Sequence, residues 1–141
     1  YGRAVRTGIV WDGEAISKPH PAAALLRLIG CRGPEETLGV LFTDSRNKPV
    51  GFAAFSAGAA SYAAVSPGGV LRRALLCGAV GIVIGHNHPC GVLNPSAEDR
   101  HLTVKLKEAA ELLELTLLDS LLLADDGRYL SFVEKGLMRA R

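Results

Sequence analysis

Residues 85–99, GHNHPCGVLNPSAED, are the part of this chain that the rest is organised to hold. They come after a short apolar run, residues 79–84 (AVGIVI), too short for a helix and suited to a buried strand through Val80, Ile82, Val83 and Ile84. Side chains on a strand repeat every two residues, so His86 and His88 leave its end on one side and Asn87 is turned away. Two imidazoles placed in this way can share one ion. Pro89, Gly91 and Pro95 then carry the chain around a turn. Ser96 is a helix N-cap, and Asp99 lies in the first turn of the helix it opens, which returns a carboxylate toward the histidines.

Two neutral imidazoles and one carboxylate, with a fourth position left to water, make the ligand count of a catalytic rather than a structural zinc site. Plainer readings exist for each piece. An H-x-H pair alone is weak, a histidine after a buried strand is commonly a hydrogen-bonded loop residue, and S-x-x-D is a capping pair that needs no metal. Capping and ligation are compatible. The metal reading gains its weight from the complete spacing of H-x-H, seven residues, Ser, two residues and Asp, with a strand before it and a helix after it.

This spacing resembles the JAMM motif of the JAB/MPN zinc metalloenzymes. The pieces GHNHP, NPSAED, LLD and GRYLSF further resemble the bacterial RadC-type branch of that family, over residues from about 34 to about 132. The resemblance implies an α/β (α+β) fold, a mixed sheet covered by helices in the deaminase-like three-layer arrangement, with residues 1–141 as a single domain. It also implies that His86, His88 and Asp99 hold Zn²⁺, that Ser96 helps stabilise the transition state, and that an upstream glutamate acts as base. Glu36, which opens the strand TLGVLFTD, is the best-placed residue for that role, although Glu35 beside it is equally acidic. The chain departs from the RadC-type pattern at Ser120 and Ser66, where histidines are common, and at Cys90, Val92 and Leu93, which replace a more polar turn. None of these is an expected metal ligand. Cys90, two residues past His88, is nevertheless a soft donor within reach along the chain.

At 141 residues the chain is long enough for one domain with a real core and too short for an eight-stranded α/β barrel of about 250 residues. That excludes the barrel hydrolases that also use H-x-H. A zinc deaminase is excluded by residues, since no H-x-E is followed by P-C-x-x-C; Pro89 and Cys90 supply only half of the second element. With 48% hydrophobic and 21% charged residues, and no apolar run near ~20 residues, the expectation is a soluble, cytoplasmic protein. Cys31, Cys77 and Cys90 are odd in number and contain no C-x-x-C, which suits a reducing compartment.

Along the chain, residues 3–11 form an opening strand, and prolines at 19 and 21 punctuate the segment after it. A helix is expected from Ala22 to a stop at Gly30, then a hairpin of residues 36–43 and 49–55 joined by DSRNK. Residues 57–65 read as a small-residue strand. Ser66 and Pro67 open a helix closed by Gly78. Residues 96–114 form the clearest helix, with Leu102, Leu106, Ala109 and Leu113 on its apolar stripe. Residues 117–124 and 128–132 make a second hairpin.

Three functions compete. The first is a zinc-dependent hydrolase of amide bonds, a metallopeptidase or an isopeptidase acting near the C-terminus of a ubiquitin-like modifier. The second is a DNA-associated factor or metal-dependent nuclease, and the third a catalytically silent MPN interaction module. The intact ligand set argues against silence. A net charge of +2, scattered cations and 6% aromatics are a thin footprint for nucleic acid. These 141 residues also lack the helix-hairpin-helix-like region that commonly accompanies RadC-type chains. The chain is therefore expected to bind duplex DNA no better than a generic non-specific protein, at about 10⁻⁴ to 10⁻⁶ M in physiological salt. A salt titration of binding reads this, and tight structure-selective binding would favour the second function.

Overall fold

Every residue of β3 (Gly81–Asn87) is buried, and β3 is the central strand of a five-stranded sheet in the computed structural model, which describes residues 15–56 and 66–139. The strands expected at 3–11 and 57–65 lie outside the described residues. Around β3 stand β1 (Thr37–Thr43), β2 (Pro49–Ser56), β4 (Thr116–Leu123) and β5 (Tyr129–Ser131), in the order β2-β1-β3-β4-β5. The β1–β2 and β4–β5 pairs are antiparallel hairpins, β1 runs antiparallel to β3, and β3 runs parallel to β4. The sheet is therefore mixed, as expected. The parallel pair needs a crossover, and the helix after the GHNHP turn supplies it.

Helix α1 (Pro19–Leu28) lies on one face of the sheet, packed with Leu41, Val83, Leu121 and Leu123. Helices α2 (Pro67–Leu76) and α3 (Ala97–Leu112) cover the other, over Leu38, Val40, Phe42, Ile82, Ile84 and Leu122. The result is a three-layer α/β arrangement. No helix among the described residues is long and apolar enough to cross a membrane.

Three departures from the sequence reading have a physical reason in the structure. Helix α1 begins at Pro19 rather than Ala22, because a proline in the first helical turn gives up no intrahelical hydrogen bond and has φ already set. Strand β3 continues past Ile84 to Asn87, so His86 is a strand residue and only His88 lies beyond the end. In α3 the buried stripe is Asp99, Thr103, Leu106 and Ala110, whereas Leu113 is 45% exposed. The stripe is rotated from the apolar one because the polar Asp99 and Thr103 are drawn inward.

Two glycines set how closely α1 approaches the sheet. Gly39 and Gly85 face each other across β1 and β3. A Cβ at Gly39 would stand 2.9 Å from Leu26 Cδ2, and one at Gly85 would stand 2.6 Å from Leu26 Cδ1 and 3.2 Å from the Leu121 carbonyl oxygen. Leu26, fully buried, occupies the space beside Gly85 and shares that beside Gly39 with Cys31, whose Sγ would stand 2.5 Å from the added Cβ. Gly85→Ala is expected to destabilise the fold by about 1–3 kcal/mol through overpacking. Leu26→Ala should cost about 2–5 kcal/mol by leaving a cavity. Denaturant melts of the double variant should show less than the sum, since the cavity takes up the added methyl.

Candidate metal centre

The site is assembled where β3 ends and α3 begins. His86 points to the α2/α3 face with Ile82 and Ile84, by the two-residue alternation of β3. His88 lies just past the strand, where its N–H donates to the Leu123 carbonyl at the end of β4 (2.8 Å). The next turn is closed by the Gly91 N–H on the His88 carbonyl (2.9 Å), and Gly91 takes φ +79°, a conformation that favours glycine. It brings the Val92 carbonyl to 2.8 Å from His88 Nδ1. With Nδ1–H donated there, the neutral imidazole keeps its lone pair on Nε2.

Asp99 arrives from the other direction. Ser96 caps α3 by accepting the Asp99 N–H (3.0 Å), and Asp99 Oδ2 accepts the Ser96 N–H (2.8 Å), a reciprocal capping box. Asp99 Oδ1 stands 2.9 Å from His86 Nε2, Oδ2 is 3.5 Å from His88 Nε2, and the two Nε2 atoms are 2.9 Å apart. Three donor atoms thus converge. Ligands 2.0–2.1 Å from a tetrahedral ion stand about 3.3 Å from one another, and the observed spacings bracket that value. His86, His88 and Asp99 can therefore hold a metal ion, and the donor set, two imidazoles and a carboxylate, suits a borderline-soft divalent one.

The electrostatics agree. Burial alone would push the Asp99 carboxyl up, but hydrogen bonds with His86 and His88, the pull of His86 and the Ser96 N–H hold it well below the ordinary carboxylate range. The Asp99 hydrogen bond raises His88 to about 8 against the effect of burial, helped by Val92 and by the charges of Asp99 and Glu36.

Glu36 lies immediately before β1, half-buried. It shares alternation with Leu38, Val40 and Phe42, all on the histidines' side of the sheet, and its charge is felt at His88. Glu35 has the opposite alternation and is exposed. Ser96 is exposed at the cap, its oxygen accepting the Asp99 N–H. Cys90 is exposed and outside the ligand group.

The sequence reading gives no role to two residues that pack around the site, Asn87 and Thr103. Asn87, turned away from the metal side, is 1% exposed, and its side chain makes three hydrogen bonds to residues 33–37. A polar residue closing an otherwise apolar or small-residue strand is the available signal. Thr103 donates to the Asp99 carbonyl (2.8 Å) and is 3.0 Å from Ser120 Oγ, which ties the first turn of α3 to β4. Asp119 of the LLD piece accepts from Ser131 Oγ (2.5 Å) and from the Ser120 and Val133 N–H groups. It clasps the C-terminal turn rather than joining the metal group.

A family model described as "RadC-like JAB domain" matches residues 16–137. A UPF0758 protein of Pseudomonas fluorescens SBW25 is 44% identical over 123 residues, covering 87% of this chain and 54% of that protein. A UPF0758 protein of Halorhodospira halophila is 36% identical over 126 residues, covering 89% of this chain and 56% of its own length. The relative from Nitrosococcus oceani is 40% identical over 126 residues, covering 89% of this chain and 56% of that protein. The chain spans about half the length of the curated relatives it matches.

Metal binding should depend on pH with a definite sign. Only unprotonated Nε2 can ligate, so with His88 raised from 6.5 to about 8, affinity is expected to fall by up to about tenfold per pH unit below 8. The metal-free fold should behave oppositely: the stability from the His88–Asp99 contact is complete below pH 6.5 and lost as pH rises through about 8. The stability from the depressed Asp99 is complete above its ordinary value of 3.8 and is lost as pH falls below it. Chelator competition and melts across about pH 5–9 read both, and pH-independent affinity in this range would contradict the assignment of His88 as a ligand.

Proposed function

The chain belongs to the RadC-like JAB domain family, and from that membership we propose that it is a zinc-dependent hydrolase of amide bonds, a metallopeptidase or isopeptidase. One observation carries the reading. Three ligand atoms converge, and Glu36, at the entrance of the strand beside them, carries a charge that reaches His88. A scaffold held together by a metal would need the three ligands but not the fourth group.

Zinc bound by His86, His88 and Asp99 would supply Lewis-acid chemistry, lowering the pKa of a water toward ~7 and polarising the scissile carbonyl. The chain's own groups do the rest. The Val92 carbonyl holds His88 in the ligating tautomer, and the capping box fixes the Asp99 carboxylate. Glu36 accepts the proton of the attacking water and returns it to the leaving amine, the bifunctional role that one positioned carboxylate can fill. Ser96, its oxygen engaged by the Asp99 N–H, directs its O–H toward the developing oxyanion. The substrate class we propose is a peptide or protein, including the C-terminal segment of a ubiquitin-like modifier.

Glu36→Gln keeps shape and hydrogen bonding but removes the basic oxygen. It is expected to retain metal and melting temperature while amide cleavage falls by about 10²–10⁴-fold. Metal content, a melting curve and rates on a peptide and an oligonucleotide, all from one preparation, read this. Full amide cleavage with metal in place would eliminate Glu36 as base, and cleavage of the oligonucleotide alone would replace the amide substrate with a phosphodiester.

A further inference from the structure

Asn87 stands between the two histidine ligands in the chain, and its side chain leaves on the opposite face of β3. It does not touch the metal group, yet it is 1% exposed and committed at both ends of its amide. Its Oδ1 accepts the Thr37 N–H (2.8 Å), while Nδ2 donates to the Glu35 carbonyl (2.8 Å) and the Gly33 carbonyl (3.2 Å). Thr37 and Glu35 are the residues on either side of Glu36.

The place where this happens matters. The β1–β3 ladder runs from Thr43↔Gly81 to Leu38↔His86 and pairs nothing beyond it. Glu36 is thus outside the register that backbone hydrogen bonds impose between base and ligands. The side chain of Asn87 takes over where the ladder stops, bonding to the peptide groups that bracket the glutamate. Thr37 still pairs with Ser56 on its other side, so the strand does not need Asn87 to exist. What the amide adds is the lateral placement of residue 36 against the histidine-bearing strand. Of the short side chains, asparagine presents one acceptor and two donors on one planar group; aspartate has no donor, and serine has only one.

We propose that Asn87 is a positioning residue for Glu36. Its amide makes the two metal-binding histidines and the base segment move as one body, so that the carboxylate stays over the open side of the site. This rests on the reading of Glu36 as the base. Small displacements count heavily here: a misplacement of about 1 Å between reacting groups can cost about 10²-fold in rate.

The test compares Asn87→Ala and Asn87→Asp, each alone and combined with Glu36→Gln, in the otherwise unaltered chain. In metal-free protein, hydrogen exchange at the Thr37 amide should lose about tenfold protection in Asn87→Ala, the loss expected for one hydrogen bond, while the β3–β4 ladder keeps its own. Unchanged protection at Thr37, or loss spread evenly over the sheet, overturns the proposal. With cobalt(II) in place of zinc, the paramagnetic shifts of Glu36 should move in Asn87→Ala while those of Thr103 on α3 stay; unmoved Glu36 shifts overturn it as well. In the zinc enzyme, kcat should fall by about 10²-fold with KM and metal content near those of the parent. On the Glu36→Gln background the same substitution should cost almost nothing further, because two residues acting through one group are not additive. Independent, multiplying losses overturn the proposal. A parent without amide-cleaving activity overturns the proposed reaction and not the positioning, which the exchange and cobalt measurements decide.

Discussion

A carboxylate that is only 6% exposed must find donors or a cation, and Asp99 meets that demand at the one point where two elements of opposite character meet. One of its oxygens is held by the N-cap of α3, whose dipole favours a negative charge in its first turn, and both oxygens face imidazoles from the end of β3. The parallel β3–β4 pair follows from the same arrangement. A chain that leaves β3 at the histidines and must bring a carboxylate back to them begins its crossover helix at the site. Thr103, Leu106 and Ala110 then continue the Asp99 stripe down into the core beneath.

The two faces of the sheet divide the work. On the α2/α3 face, Ile82 and Ile84 lead up to His86. On the α1 face, Val83 and Gly85 lead up to Asn87, and the gap beside Gly39 and Gly85 lets Leu26 press α1 down. A slip of one residue would exchange these sets and send asparagine to the metal side, so burial on both faces fixes the register on which the ligand group depends.

The departures from the RadC-type pattern at Ser120, Ser66, Val92 and Leu93 have structural occupations here. Ser120 meets Thr103 behind the Asp99 turn, and Ser66 caps α2 by accepting the Gly69 N–H (3.1 Å). Val92 lends its carbonyl to His88, and Leu93 packs against the core. These roles use backbone groups, hydroxyls or plain apolar bulk, which several residue types can supply. At His86, His88 and Asp99, holding a metal would need the imidazole and carboxylate donors themselves.

Much of this was legible in the sequence because it rests on local rules. The two-residue period put His86 and His88 together, S-x-x-D announced both a cap and a returning carboxylate, and turn residues separated the elements. Other features were decided only by tertiary packing. Which of Glu35 and Glu36 shares the alternation of the residues on the histidines' side depends on which face Leu38 buries. That α3 turns Asp99 and Thr103 inward, and leaves Leu113 at the surface, depends on the ligands and on Ser120 waiting beneath it. Asn87 is the sharpest case. Alternation within its own strand shows only that it faces away from the histidines, because that period is a property of one strand. The backbone atoms it holds lie far earlier in the chain and are brought alongside by the antiparallel pairing of β1 with β3, and no local pattern encodes that meeting.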